Sequence, residues 1–361
     1  MPEIVNRQDE VSAKLRTVRD VVGRRGAAAA ALTARRNFAW ATAGGDNHVV
    51  SADQAGVATL LVTADSALLV TTVIEAPRIY AEELAELDLE VITLPWWDAT
   101  AVAEAISEHA GGPVLDDAAL EEELRPLRSR LSEPEIDRLR ILGQETSRAM
   151  TGVFGRAARG DDEAALAARL PLALAPLGIA TPVLLSARDE RIVRFRHPVP
   201  KPGAVERSFM LIVVAERGGL QVAMTRIGWF DGRPDEETLR RYRACARVDA
   251  AMRDATVAGR TLGDVFDAAV VAYGEVGYPD EWRLHHQGGT IAYQPRETLA
   301  VPGSRERIDP GMAFAFNPSI TGAKVEDTFV LAPDGRREIV TRDLEWPTEA
   351  DGSPRIWVAA Q

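Results

Sequence analysis

The chain has 361 residues, and 42 lysines and arginines against 54 aspartates and glutamates give a formal charge of 42 − 54 = −12. This acidity argues against general nucleic-acid binding. An apolar fraction of 46% argues against disorder, and the lone Cys245 excludes an internal disulfide or a multi-cysteine zinc or iron–sulfur site.

What remains is an enzyme-like chain of about two domains, whose most abundant chemical resource is carboxylates, with five histidines beside them. The first residues lack the apolar run of roughly 7–15 residues that a signal peptide needs. No run approaches the roughly 18 uncharged apolar residues of a membrane span. The expected setting is the cytoplasm, with no membrane partner. Lysine is scarce, at Lys14, Lys201 and Lys324.

In chain order, 8–35 reads as a helix, with Val11, Leu15, Val18, Val21 and Val22 near helical period. Strand-like runs follow at 37–41, 57–63 and 67–72. Helix is expected over 75–87 and 99–109, and strand over 90–94 and 113–115. Such alternation implies an α/β layer domain. At Ser132-Glu133-Pro134-Glu135 a serine cap, a proline in the first turn and a glutamate at the third helical position announce a long helix over 136–159. A second helix covers 162–174. The next signals are two strands, 209–214 and 220–227, joined by Gly218-Gly219 as a hairpin. Helices over 237–258 and 261–275 and strands over 313–316 and 325–331 complete the pattern. The domain boundary is placed at 131, giving domains 1–131 and 132–361.

Several landmarks fall in a suggestive order. They are Phe195-Arg196-His197-Pro198 before Lys201-Pro202-Gly203, the hairpin ending in Thr225-Arg226, the histidine-glycine loop from His285 to Glu297, the turn Asp309-Pro310-Gly311-Met312, and Val325-Glu326-Asp327-Thr328. Together they resemble the creatinase/aminopeptidase P/prolidase superfamily over most of the chain. The resemblance implies an α/β (α+β) fold: a pita-bread C-terminal catalytic domain behind a smaller N-terminal α/β domain of creatinase type. It also implies a homodimer in which the small domain covers the partner's pocket.

The family's metallopeptidases hold two divalent ions with two aspartates, a histidine and two glutamates. The resemblance puts Ile212 and Ala223 at the aspartates, Gly289 at the histidine, Asn317 at the first glutamate and Glu326 at the second. Ile, Ala and Gly side chains cannot bind a metal, so no metal and no other cofactor is expected. The pattern is closer to creatinase, a metal-free relative that hydrolyses a C–N bond with a histidine as proton carrier.

On that resemblance His197 and Glu326 are the catalytic candidates. His197 would transfer a proton, and Glu326 would orient or stabilise its imidazolium. Arg296 would clamp a carboxylate. His286, Asn317, Arg226 and His48 complete the substrate-binding set. Each has a plainer alternative. His197 and Asn317 could serve loop turns beside Pro198 and Pro318. Glu326 could pair with a core arginine such as Arg226, and Arg296 with Glu297 or a surface acid. Arg226 itself reads better as structural. If 284–291 is extended, only one of His285 and His286 can face the pocket, and His286 is the choice. Asp46, Asn47 and His48 could simply form a solvated turn.

The expected activity is therefore metal-independent hydrolysis of a C–N bond in a small carboxylate-bearing, nitrogen-rich substrate. A non-catalytic binding module and an Xaa-Pro metallopeptidase with displaced ligands stand as alternatives.

Overall fold

The structure, a computed structural model, describes residues 6–350 and 352–359. The chain divides into two compact units. One ends at Arg128 and takes in Gly218–Leu220; the other takes Ser129–Arg217 and resumes at Gln221.

In the first unit Asn6 caps the helix Arg7–Arg24, accepting from the Gln8 amide. The five apolar positions read from the sequence are all buried along it. The helix does not reach 35. Gly26, at φ +64°, turns the chain out of it, and the alanine-rich stretch that follows becomes the strand β1, Ala29–Ala34. The expected helix extended over this stretch, but it lies buried between two other strands, and that pairing decides its conformation.

The expected strand at 37–41 is instead the helix Arg35–Ala41. The Asp117 carboxylate takes the Thr33 and Ala34 amides at 2.8 Å each and the Asn37 side chain at 2.7 Å. The donors that would extend the ladder are thus used at its end. Strands β2 (Ala55–Thr63), β3 (Ala67–Thr72), β4 (Glu90–Leu94) and β5 (Val114–Asp116) complete a sheet of order β4-β3-β2-β1-β5. The helix expected at 75–87 is reduced to one turn, Ala76–Arg78, widening into the π-helical Ile79–Glu83. Helix Asp117–Ser129 had no sequence signal strong enough to name it.

The second unit opens as its capping box predicts. Glu135 takes the Ser132 amide at 2.7 Å, and the helix runs Glu133–Gly155. Asp162 caps helix Glu163–Leu174. Strand β6, Ala180–Arg188, was not anticipated; it pairs with β7 (Ser208–Arg217), which turns through Gly218-Gly219 into β8 (Leu220–Trp229). Helices Glu236–Ala255 and Leu262–Glu275 bury their apolar faces among Met210, Ile212, Phe314 and Phe329.

The remaining strands are β9 (Gly288–Thr290), β10 (Thr298–Leu299), β11 (Ala313–Phe316), the two-residue strands β12 (Ser319–Ile320) and β13 (Ala323–Lys324), then β14 (Asp327–Leu331), β15 (Arg337–Ile339) and β16 (Trp357–Val358). β12 and β13 pair only with each other; the others join sheets of order β10-β9-β11-β14-β15 and β16-β8-β7-β6, and a bridge between Thr225 and Glu326 joins these two. Among the described residues no helix is long and apolar enough to cross a membrane.

Candidate active site

The bridge between the two sheets gathers the residues of interest onto two adjacent rows. In one, Gly289 pairs with Ala315 and Ala315 with Thr328, whose hydroxyl accepts from the Ala223 amide at 2.8 Å. In the next, the Asn317 amide donates to the Gln287 carbonyl at 3.2 Å, and Glu326 pairs with Thr225.

Gly289 is fixed sterically. A Cβ there would stand 1.9 Å from the Thr298 carbonyl oxygen and 2.9 Å from Leu299 Cα, both backbone atoms that cannot swing away. Gly289→Ala is therefore expected to break the β9–β10 pairing at a cost of about 3 kcal/mol. Chemical denaturation checks this, and stability equal to the parent would contradict the closeness of the two strands.

Glu326 is the centre of a buried charge cluster. Its Oε1 accepts from Arg296 Nη2 at 2.7 Å, its Oε2 accepts from the Thr225 hydroxyl at 2.7 Å, and Lys324 Nζ lies 3.9 Å from the same Oε2. All three ionic side chains are largely withdrawn from solvent, at 3% for Glu326, 6% for Lys324 and 15% for Arg296. Burial alone would raise the Glu326 carboxyl, but Lys324, Arg296 and the Thr225 hydroxyl together hold it below the usual carboxylate range. Burial lowers the Lys324 ammonium against the opposing pull of Glu326.

Three imidazoles lie beside this cluster. His197 and His285 meet Nε2 to Nε2 at 3.0 Å, and the His285 and His286 rings stack at 4.4 Å. One Nε2 of the first pair must carry a proton and the other a lone pair, so at least the accepting ring is neutral. His286 Nδ1 accepts from the Gly288 amide at 3.2 Å. His285 Nδ1 is buried without a partner.

Burial, followed by the charge of Lys324, drives His285 down to about 2; burial and then Arg296 drive His286 down to about 4. His197 is also lowered, by burial first and then Lys324 and Arg296, with Glu326 opposing. The segment is braced from behind. Gln287 Nε2 donates to the His285 carbonyl at 2.5 Å, and Gln287 Oε1 accepts from the buried Tyr273 hydroxyl at 2.9 Å. Beside His197, Arg196 is anchored to Glu281 at 2.6 Å and to the Thr321 hydroxyl at 2.9 Å.

His197, His286, Arg296 and Glu326 thus come together, on loops and strand ends far apart in sequence. Two details differ from the sequence reading. The adjacent histidines do not point oppositely, because β9 begins only at Gly288 and the residues before it are not in strand alternation. It is His285 that bonds His197. And the arginine that pairs with Glu326 is Arg296, where the plainer alternative had offered Arg226.

Arg226 lies on the other face of its strand. It pairs with Asp327 at 2.7 Å, donates to the Thr225, Glu326 and Thr341 carbonyls, and lies 5.5 Å from the Trp346 ring centre. Every one of these contacts is structural. Asn317 is 2% exposed, and its Oδ1 has no partner. His48 belongs to the first unit, where its ring meets Asp46 at 2.5 Å.

Sequence reasoning passed over Lys324 and His285. The signal for Lys324 was available: it is one of three lysines in the chain and stands two residues before Glu326, on the same side of an extended segment.

The sequence profile of metallopeptidase family M24 matches residues 137–333, more than half of the chain. No curated protein matches the sequence. Among solved structures, the fold is similar to an Xaa-Pro dipeptidase from Bacillus anthracis, at 15% identity and a TM-score of 0.76 over 96% of this chain and 99% of that one. It is similar to dipeptidase PepE from Mycobacterium ulcerans, at 19% identity and 0.77 over 98% of each chain. A dipeptidase from Pyrococcus horikoshii OT3 gives 17% and 0.77 over 96% of this chain and 100% of that one. At such identities the likeness establishes the fold, the two-domain pita-bread architecture.

Proposed function

The chain belongs to metallopeptidase family M24, and from that premise we propose a hydrolase that cleaves a C–N bond in a small, carboxylate-bearing, nitrogen-rich molecule without the paired metal ions of the family's peptidases. The observation that carries the reading is the buried Arg296–Glu326–Lys324 cluster beside three neutral imidazoles. Two cationic side chains against one carboxylate leave one positive charge in excess while Lys324 keeps its proton. That suits a substrate with a single carboxylate.

The donor set does not fit the dinuclear centre. Ile212 is a core side chain, Ala223 is buried in the sheet, and the space beside Gly289 is closed by the Thr298–Leu299 backbone. Asn317 offers a neutral amide, and Glu326 is already taken up by a guanidinium and a hydroxyl. No step is routed through such a pair of ions.

The chemistry left to this chain is proton transfer. His197, neutral at physiological pH, takes a proton from the attacking water. The hydroxide adds to the carbon, the C–N bond breaks, and the same proton returns to the departing nitrogen. Lys324 and the free N–H groups of Arg296 hold the substrate carboxylate. The unpartnered Asn317 Oδ1 accepts an N–H from the substrate's nitrogen-rich end. Binding without turnover is the second reading. It draws on the mutual pairing of Arg296 and Glu326, which satisfies two of the proposed functional groups without any substrate.

The test uses chelator-treated full-length protein with two probes, creatine as a carboxylated guanidino compound and an Xaa-Pro dipeptide. Turnover of the first that survives chelation is the expected result. Cleavage of the dipeptide that appears only on adding manganese would instead establish a metallopeptidase. Saturable binding of creatine with no turnover would establish the binding module.

A further inference from the structure

The three imidazoles have a second use that the proton-transfer reading does not require. We infer that His197, His285 and His286 form a mononuclear site for a zinc-class divalent cation, made of residues that the family's carboxylate-bridged centre does not use.

The geometry carries this. One ring nitrogen from each of the three lies within 4.8 Å of the other two. Around a tetrahedral zinc with Zn–N bonds of about 2.0–2.1 Å, neighbouring nitrogens stand roughly 3.3 Å apart. The His197–His285 contact, at 3.0 Å between Nε2 atoms, is already near that spacing. A proton and a metal ion are alternative bridges at this separation, and replacing one by the other needs little movement of either ring. His286, whose ring stacks on His285, must close by up to about 1.5 Å from the 4.8 Å limit to reach that spacing.

The chemical type agrees. Neutral imidazole is a borderline ligand that favours zinc, copper, nickel and cobalt over magnesium or calcium. Three histidines with an open fourth position match the donor set of catalytic zinc sites. The backbone that carries His285 is held from behind by Gln287 and Tyr273, and its ring is positioned by the contact with His197.

Lys324 and Arg296 oppose a cation, and Glu326 favours it; the excess positive charge lowers the affinity without removing the donors. An anionic fourth ligand, hydroxide or carboxylate, offsets that excess. Zinc therefore binds best together with an anion. Resting on the function proposed above, the inference also says that zinc inhibits, because it takes the His197 lone pair that would accept the proton.

The experiment is a cobalt titration of the chelator-treated, dialysed chain, read by the visible absorption that tetrahedral cobalt shows and octahedral aqueous cobalt scarcely does. One saturating equivalent, displaced by zinc, is expected. His197→Ala and His286→Gln should each abolish the band. His109→Ala should leave it unchanged. Lys324→Met should tighten cobalt several-fold, a result that no remote site would give.

His197 is exposed, so its variant keeps the fold, and a thermal melt matching the parent verifies this. Absence of a saturable band, or a band that survives both His197→Ala and His286→Gln, overturns the site. A band with creatine turnover indifferent to zinc overturns the inhibition alone. A band with no turnover of any probe upholds the site and counts against the proposed hydrolase.

Discussion

Replacing His197 by alanine is expected to lower kcat/KM by about 10²- to 10⁴-fold, the range associated with losing a positioned general acid–base group. Stability should change by only about 1 kcal/mol. The residue is exposed, and the variant loses one hydrogen bond, the one shared with His285 Nε2. A stopped turnover with an unmoved melt separates chemistry from folding. Full activity in the variant would remove His197 from the mechanism.

The pH profile gives an independent check. The folded His197 has its pKa below 6.5, so the base form is already present at neutral pH and is lost only as pH falls below that value. The acid limb of kcat/KM should therefore lie below pH 6.5. After burial, Lys324 is the next cause of that lowering, so Lys324→Met should move the limb upward. A limb that stays in place after this substitution would mean that the titrating group is not His197.

Glu326→Gln should be the most destabilising single change in the site, by about 3–5 kcal/mol. The carboxylate is buried and is the counter-charge for both Arg296 and Lys324. Lys324 can shed its proton when unpaired, since burial already pushes its ammonium down. Arg296 cannot, and its Nε is already buried without a partner. The cost should therefore come mainly from the stranded guanidinium. The double variant Glu326→Leu with Arg296→Met removes both charges and should recover most of the loss, because desolvation of the pair largely cancels its attraction. Urea unfolding of the three proteins measures this. Equal destabilisation in the single and double variants would show that packing around Glu326, and not the unpaired charge, sets the cost.

The abundance of acids pointed first to carboxylate-bridged metal, yet the charge cluster at the site holds a single carboxylate. It is neutralised by side-chain cations, and imidazoles lie beside it. That reversal could be read from the sequence through the family resemblance, since Ile212, Ala223 and Gly289 have no donor atoms whatever the fold does with them.

The elements with local causes were equally legible. Ser132 and Glu135 close a capping box, Gly218-Gly219 turns a hairpin, and the valines of the first helix keep its period. Each of these is decided by residues a few positions apart. The misjudged elements were those decided at long range. Ala29–Ala34 is a strand because other strands flank it, and 37–41 is a helix because Asp117, about eighty residues away, occupies the preceding amides.

The site divides in the same way. Sequence alone named His197, His286, Arg296, Asn317 and Glu326 as residue types in a suggestive order. Only the tertiary structure could decide partners. It gave Glu326 to Arg296 and left Arg226 with Asp327, it set His285 against His197, and it brought Lys324 to the same carboxylate. Composition and local spacing fix which groups a chain owns. Which of them share a proton or a charge depends on distances of about 3 Å between residues dozens of positions apart, and only the packed sheets set those.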